Sequence, residues 1–193
     1  MPMLQVSSLT CVRDRRRLFS AVSFSLSAGE LLQVVGGNGT GKSTLLRILV
    51  GLFTDFEGEV SWDLNQAPLY LGHRPGVKTG LTVLENLRWP VVLRGGDAGR
   101  IEEALGALGL SGFEDTPASQ LSEGQRKRVG LAQFLLVDNP CWIMDEPFSA
   151  IDAEGLGFLR SCMEQHVDAG GAVLFSSHQD MGVDRPLRTV ALG

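Results

Sequence analysis

The nine residues "GGNGTGKST", Gly36 to Thr44, carry the most specific chemistry in this 193-residue chain. They fit the pattern G-x-x-x-x-G-K-[ST] at Gly36, Gly41, Lys42 and Ser43. Glycines let successive backbone amides turn inward onto one anion, and a helix N-terminus behind them adds partial positive charge. Gly36, Gly37, Asn38, Gly39, Thr40, Gly41, Lys42, Ser43 and Thr44 are therefore the candidate phosphate-binding set. The Lys42 ammonium can reach β- and γ-phosphates, and the Ser43 hydroxyl can ligate Mg²⁺.

A phosphate cradle of this kind needs an acid at the end of a buried strand. "CWIMDEP" supplies Asp145 and Glu146 after an apolar run. Asp145 is placed to hold Mg²⁺ through water, and Glu146 to act as general base on an attacking water. The plainer alternative is that both acids cap the following turn. Their adjacency after four apolar residues, with Pro147 next, favours the catalytic reading. These features predict an enzyme that binds a nucleoside triphosphate.

"LSEGQRKRVGLAQFLL" adds a third element. Ser122 stands at a helix start with Gln125 three residues on, a capping-box pattern. Gly124 falls in the first turn, where a better helix former would be more stable by up to about 1 kcal/mol. A bare-backbone helix N-terminus with a serine is also a good receptor for a γ-phosphate. The Lys42 cradle is complete on its own side, so a second molecule is what could present this helix to it.

Behind these residues lies a strand-and-helix core. "LQVSSLTCV" and "AVSFSLSAGE" alternate apolar and polar residues and predict half-buried, antiparallel strands. "ELLQVVG", "CWIMD" and "AVLFSS" predict buried strands, "GEVSW" and "PLYLG" short ones, and "RTVALG" a last one. Helices are expected from about Gly41, over "TVLENLRWPVVLR", "AGRIEEALGALGL", "EDTPASQL" and "EGQRKRVGLAQFLLV", and over "AEGLGFLRSCMEQHVDAGG". The pattern is a single α/β domain over residues 1–193 with a mainly parallel sheet, bracketing an all-helical insert at roughly residues 82–135.

The chain is 44% hydrophobic and 20% charged with net charge −5, which argues against a nucleic-acid partner. Cys11, Cys141 and Cys162 are odd in number and widely spaced, so neither a disulfide framework nor a zinc site is expected. They read as small apolar residues in a reducing compartment. The N-terminus lacks the apolar core of a signal peptide, and no run reaches the roughly 18 apolar residues of a membrane span. Work at a membrane would then go through a partner. No C-x-x-C-H is present, and none of His73, His166 and His178 stands in a haem-ligating motif, so no direct haem ligation is expected.

In their order and spacing, "GGNGTGKST", "LSEGQ", "CWIMDEP", "SAID" and "SSH" resemble the motif set of the ATP-binding cassette (ABC) ATPases over nearly the whole chain. The resemblance implies a P-loop NTPase core of ABC-ATPase type with antiparallel N-terminal strands and a helical subdomain. It implies ATP and Mg²⁺ as ligands. It also implies a homodimer in which two cassettes pair head to tail, with ATP between the cradle of one and the signature of the other. Carried over, Ser122, Gly124 and Gln125 act across that interface and Asp152 sits at it, although a helix-cap role for Asp152 fits equally. Glu146 polarises water and His178 contacts the γ-phosphate.

Two positions depart from the family. A glutamine normally occupies the loop before the helical insert, and His73 falls in that slot. Mg²⁺ prefers oxygen, so a water-mediated contact is one role for His73 and an ordinary solvent-facing loop histidine is the other. The aromatic residue that usually stacks on adenine is missing near Arg13, so an arginine plane or Phe19 would have to serve.

"RDRRRLFSAVSFSLSAGE", "LGHRPGVKTGLTVLENL" and "LSEGQRKRVGLA" resemble the ATPase subunits of the cytochrome c maturation (Ccm) haem exporters. That resemblance implies multispanning membrane permease subunits as partners, at the cytoplasmic face of the bacterial inner membrane. It also implies ATP-driven handling of haem, or of a haem-loaded chaperone, for c-type cytochromes. An ATPase subunit of an exporter for another substrate would share every catalytic motif and is the alternative.

Overall fold

A computed structural model describes residues 1–178 and 186–193; Gln179 and Asp180 of "SSHQD" lie outside the described residues. The described chain divides into two compact units. The first comprises Met1–Tyr70, Pro140–Pro147 and Met163–Gly193, and the second Leu71–Asn139 and Phe148–Cys162.

In the first unit, β1 (Leu4–Arg13) and β2 (Arg16–Leu26) form an antiparallel hairpin, and β4 (Glu57–Trp62) pairs with the other edge of β1. The hairpin strands run further than polar/apolar alternation predicts, because the arginine run continues the ladder into the turn. Arg13 pairs with Arg16 across Asp14 and Arg15, whose φ angles are 50° and 63°. Positive φ at both central residues is the geometry that matches the strands' own twist.

The second sheet has the order β5–β6–β7–β3–β8. Its members are β3 (Leu31–Val35), β5 (Leu69–Leu71), β6 (Cys141–Asp145), β7 (Ala172–Ser176) and β8 (Arg188–Ala191). The pairs β3–β7, β3–β8 and β6–β7 are parallel. Both faces of β6 and β7 are buried, which is why their sequences are continuous apolar runs rather than alternating ones. Helix α1 (Lys42–Leu49) packs on β6 and buries Leu45, Leu46, Ile48 and Leu49 in the core. The parallel arrangement brings the C-terminal ends of β3, β6 and β7 to one edge, the usual place for a ligand in such sheets.

The second unit is helical. It contains α2 (Val83–Leu93), α3 (Ile101–Ala107), α4 (Glu123–Leu136) and the first residues of α5 (Ala153–Asp168). "EDTPASQL" is expected as a helix but forms only a single 3₁₀ turn at Ala118–Gln120. Residues 114–118 instead use their backbone to pair with 81–84: Val83 and Leu84 amides donate to the Thr116 and Glu114 carbonyls, and Ala118 to Leu81. Tertiary pairing overrides the local helical pattern there.

Thr82 caps α2 through a full capping box with Glu85. Asn86, 9% exposed, accepts from the Lys78 amide and donates to the Lys78, Leu81 and Thr82 carbonyls. One side chain therefore holds residues 78–82 against the start of α2. Asn86→Ala leaves the Lys78 amide without its acceptor, while the Lys78, Leu81 and Thr82 carbonyls keep backbone donors, and is expected to lower stability by about 1–3 kcal/mol in denaturant unfolding.

Candidate active site

The phosphate-cradle loop joins β3 to α1 as the sequence predicts. Gly37, Asn38 and Gly39 are exposed, Gly36, Thr40, Gly41 and Ser43 half-buried, and Lys42 and Thr44 buried. Two glycines are required by geometry. Gly36 has φ +155°, and a Cβ there would meet the Leu192 carbonyl oxygen at 2.6 Å; Gly41 has φ +100°, and a Cβ would meet Leu18 and the Phe19 ring at 2.9 Å. Thr40 Oγ1 donates to the Gly37 carbonyl at 2.9 Å and tightens the loop. Lys42 Nζ folds back over it, donating to the Gly36 and Gly37 carbonyls at 2.8 and 3.2 Å. The first-turn amides of α1 have no intrahelical acceptors and are available to an anion.

Lys42, Asp145, Glu146 and His178 come together in the first unit. His178 Nε2 lies 3.0 Å from Lys42 Nζ and 3.2 Å from Glu146 Oε1. A single ring nitrogen accepts from the ammonium when bare and donates to the carboxylate when protonated, so these contacts are alternatives set by the tautomer. Glu146 itself adopts φ 50°, a left-handed conformation that a glutamate takes up only when its surroundings impose it.

Asp145 is fully buried at the end of β6. Its Oδ1 accepts from Ser176 Oγ at 2.8 Å, and its Oδ2 is buried with no hydrogen-bond partner among the described residues. A buried carboxylate oxygen left open beside a phosphate cradle is what a hydrated divalent cation needs. The donors fit Mg²⁺: a carboxylate and the Ser43 hydroxyl are hard oxygens, and Mg²⁺ keeps waters and phosphate oxygens for the rest of its shell. Among the described residues no cluster of three His, Cys, Asp or Glu forms an all-protein cage. The Tyr70 phenol is pushed above its ordinary range by burial and by the nearby Asp145 carboxylate.

The remaining site candidates lie in the second unit. Ser122 Oγ accepts from the Gln125 amide at 3.1 Å, and Gln125 Oε1 accepts from the Ser122 amide at 2.8 Å, completing the capping box of α4. The cap uses the Ser122 oxygen as acceptor, which leaves its hydroxyl proton to donate elsewhere. Gly124 has a reason that sequence alone does not give: a Cβ there would collide with the Ala150 carbonyl oxygen. Further along α4, Lys127, 3% exposed, donates to Ser149 Oγ, and the Arg128 guanidinium pairs with Asp152. Gly124, Lys127 and Arg128 thus clasp the whole Ser149–Asp152 segment, in which Ala150 has φ 59°.

Asp152 uses both oxygens within its own chain. Oδ1 accepts from the Gly155 amide at 2.9 Å, which caps α5, and Oδ2 accepts from Arg128. The Gly155 amide and the Arg128 guanidinium hold its carboxyl below the ordinary range. His73 is exposed in the loop after β5. That loop seats on α4, where a Cβ at Gly130 would meet Pro75 Cβ at 2.7 Å.

Phe19 is not a base platform: it is 4% exposed and part of the core, its ring against the Gly41 backbone. Arg16, in the hairpin, brings its guanidinium 3.8 Å from where a Cβ on Gly39 would stand. Burial pushes the Cys141 thiol up to about 12 and the Cys162 thiol up to about 11, so both are inert at neutral pH.

Sequence reasoning passed over Ser176, Gln33 and Arg128. Gln33, 7% exposed, donates to the Ser177 carbonyl next to His178 at 3.2 Å. For Ser176 and Gln33 the available signal was a polar residue inside an otherwise apolar buried strand, "LLQVV" and "AVLFS".

Comparison with known proteins gives one consistent answer. The ABC transporter family model matches residues 19–149. The cytochrome c biogenesis ATP-binding export protein CcmA of Shigella flexneri is 46% identical, over 100% of this chain and 97% of that protein. The protein of the same name from Escherichia coli K12 gives the same identity and coverage. Among solved structures, the dimeric ATP-binding cassette MJ0796, in a post-hydrolysis state with ADP and Pi, superimposes with TM-score 0.81 at 25% identity. It covers 98% of this chain and 94% of that one.

Proposed function

This chain belongs to the ABC transporter family, among its cytochrome c biogenesis ATP-binding export proteins, and we propose from that premise how it works and with what. It is an ATPase with ATP and Mg²⁺ as ligands, the motor subunit of a haem-export or cytochrome c biogenesis system. The observation that carries the catalytic reading is the convergence of Lys42, Asp145, Glu146 and His178 at the β3 and β6 strand ends.

Lys42 leaves the Gly36 and Gly37 carbonyls for the β- and γ-phosphate oxygens, while the residues from Gly36 to Thr44 wrap the phosphates with backbone amides. Ser43 and Asp145 would hold Mg²⁺, Asp145 through water and His73 by a water-mediated contact, and the cation would supply charge neutralisation at the phosphate oxygens. Glu146 accepts a proton from water as its oxygen bonds to the γ-phosphorus; the bond from that phosphorus to the β–γ bridging oxygen breaks, and ADP leaves with the electron pair. His178 hydrogen-bonds the γ-phosphate.

A second copy closes the site. Its Ser122 hydroxyl, the bare Gly124 backbone and Gln125 face the γ-phosphate, and Asp152 lies at the seam. Closure excludes water and completes each site from both chains. The helical insert, residues 82–135, and the His73 loop pass the motion to integral membrane permease subunits, which hold the cassette at the cytoplasmic face of the inner membrane. Among the described residues no helix is long and apolar enough to cross a membrane itself.

Purification from native membranes in gentle detergent tests the assignment. Co-purifying multispanning subunits and a haem absorption band are expected. An unrelated permease without haem would leave the ATPase chemistry intact and move the chain to another export system.

A further inference from the structure

One buried hydroxyl touches both acids of the site. Ser176 is the last residue of β7, fully buried, and stands opposite Asp145 in the β6–β7 register. Its Oγ donates to Asp145 Oδ1 at 2.8 Å and accepts from the Glu146 backbone amide at 2.9 Å.

Each bond has a consequence. The first occupies a lone pair of Asp145 Oδ1, which orients the carboxylate plane and leaves Oδ2 as its open face. The second satisfies the amide of a residue held at φ 50°. A left-handed glutamate relaxes unless its backbone is tied down, and Ser176 ties it. A serine in an otherwise apolar strand, "AVLFS", costs desolvation unless both its hydrogen-bonding capacities are used, and here both are.

We infer that Ser176 is a positioning residue for the nucleotide chemistry: its hydroxyl aims Asp145 at the cation and locks the Glu146 backbone in the strained conformation from which its carboxylate faces the attacking water. This rests on the catalytic reading of Asp145 and Glu146 given above. Ser176 itself touches neither nucleotide nor water; it acts through the two acids.

The test compares Ser176→Thr with Ser176→Val in the full chain. The two side chains have one shape and differ in the hydroxyl, so packing effects cancel between them. Two readouts are taken. One is steady-state phosphate release. The other is the Mg²⁺ concentration needed for half-maximal ATP binding, measured by equilibrium titration in chains that also carry Glu146→Gln, where turnover does not interfere. The threonine chain is expected to stay near wild type in both. The valine chain is expected to lose roughly 10–100-fold in turnover and to need correspondingly more Mg²⁺, the usual scale for losing a group that orients a ligand-bearing side chain. If the valine chain fails to fold, Ser176→Ala supplies the same hydroxyl-free comparison.

Threonine and valine chains that are indistinguishable in either readout overturn the inference. Glu146→Gln alone separates the two levels. If that chain turns over normally, the reading of Glu146 fails. If it is inactive while the valine chain matches the threonine chain, only the role of Ser176 fails.

Discussion

Glu146→Gln is expected to cut steady-state ATP turnover by about 10²–10⁴-fold while leaving ATP binding in place. The substitution keeps the shape of the side chain, so the fold around it is undisturbed. It removes the group that can take a proton from water. Lys42 and Asp145 still offer the ammonium and carboxylate proposed to hold the phosphates and cation. The contact of Glu146 Oε1 with His178 Nε2 at 3.2 Å survives in neutral form. Phosphate release under saturating Mg²⁺–ATP and equilibrium nucleotide binding, measured on the same preparation, separate the two effects. Undiminished turnover in the glutamine chain would remove Glu146 from the mechanism.

Ser122→Arg is expected to abolish turnover just as deeply, although every group of the Lys42 cradle remains. The physical reason is that Ser122 sits at the N-terminus of α4, in the second unit, and in the composite site proposed above it serves the γ-phosphate of another copy. An arginine there fills the space a phosphate would take. It also places a cation at the positive end of a helix and removes the cap, which costs about 1 kcal/mol of stability. Ser122→Ala is the control: it loses the same cap without the bulk, so a mere folding defect would appear in both chains. Nucleotide binding by the arginine chain should persist, because one chain's cradle suffices for it. In chains carrying Glu146→Gln, Mg²⁺–ATP should gather wild-type Ser122 into dimers that sedimentation detects, and Ser122→Arg should leave monomers. Full turnover in the arginine chain would contradict a site built from two copies.

The parts legible in the sequence were those where residue type and element boundary coincide. "GGNGTGKST" was readable because glycine, lysine and serine fall where a strand must turn into a helix, and the structure places α1 at Lys42. The buried strands were readable as unbroken apolar runs, and the α4 cap as the pair Ser122 and Gln125. What escaped depends on partners distant in sequence. The 3₁₀ turn at Ala118–Gln120 replaced a helix because residues 81–84 claimed the backbone of 114–118. Phe19 could have been base platform or core by type alone, and the Gly41 contact made it core. Gly124 looked like a concession to a phosphate, yet the Ala150 carbonyl already requires it. Asp152 could cap a helix or face a partner, and within the chain it caps α5 and pairs with Arg128. Ser176 and Gln33 were invisible for a different reason. A polar residue in a buried strand announces a hydrogen bond but not its partner.

Whether two copies build each site is decided by how specific activity depends on chain concentration. Phosphate release per chain would be measured at saturating Mg²⁺–ATP across a dilution series of the purified protein. Two copies per site predict specific activity that rises with concentration, approaches a plateau as dimers fill, and falls toward nothing on dilution. Specific activity that stays constant down to the most dilute sample would mean that one chain hydrolyses ATP alone, which contradicts a site built from two copies.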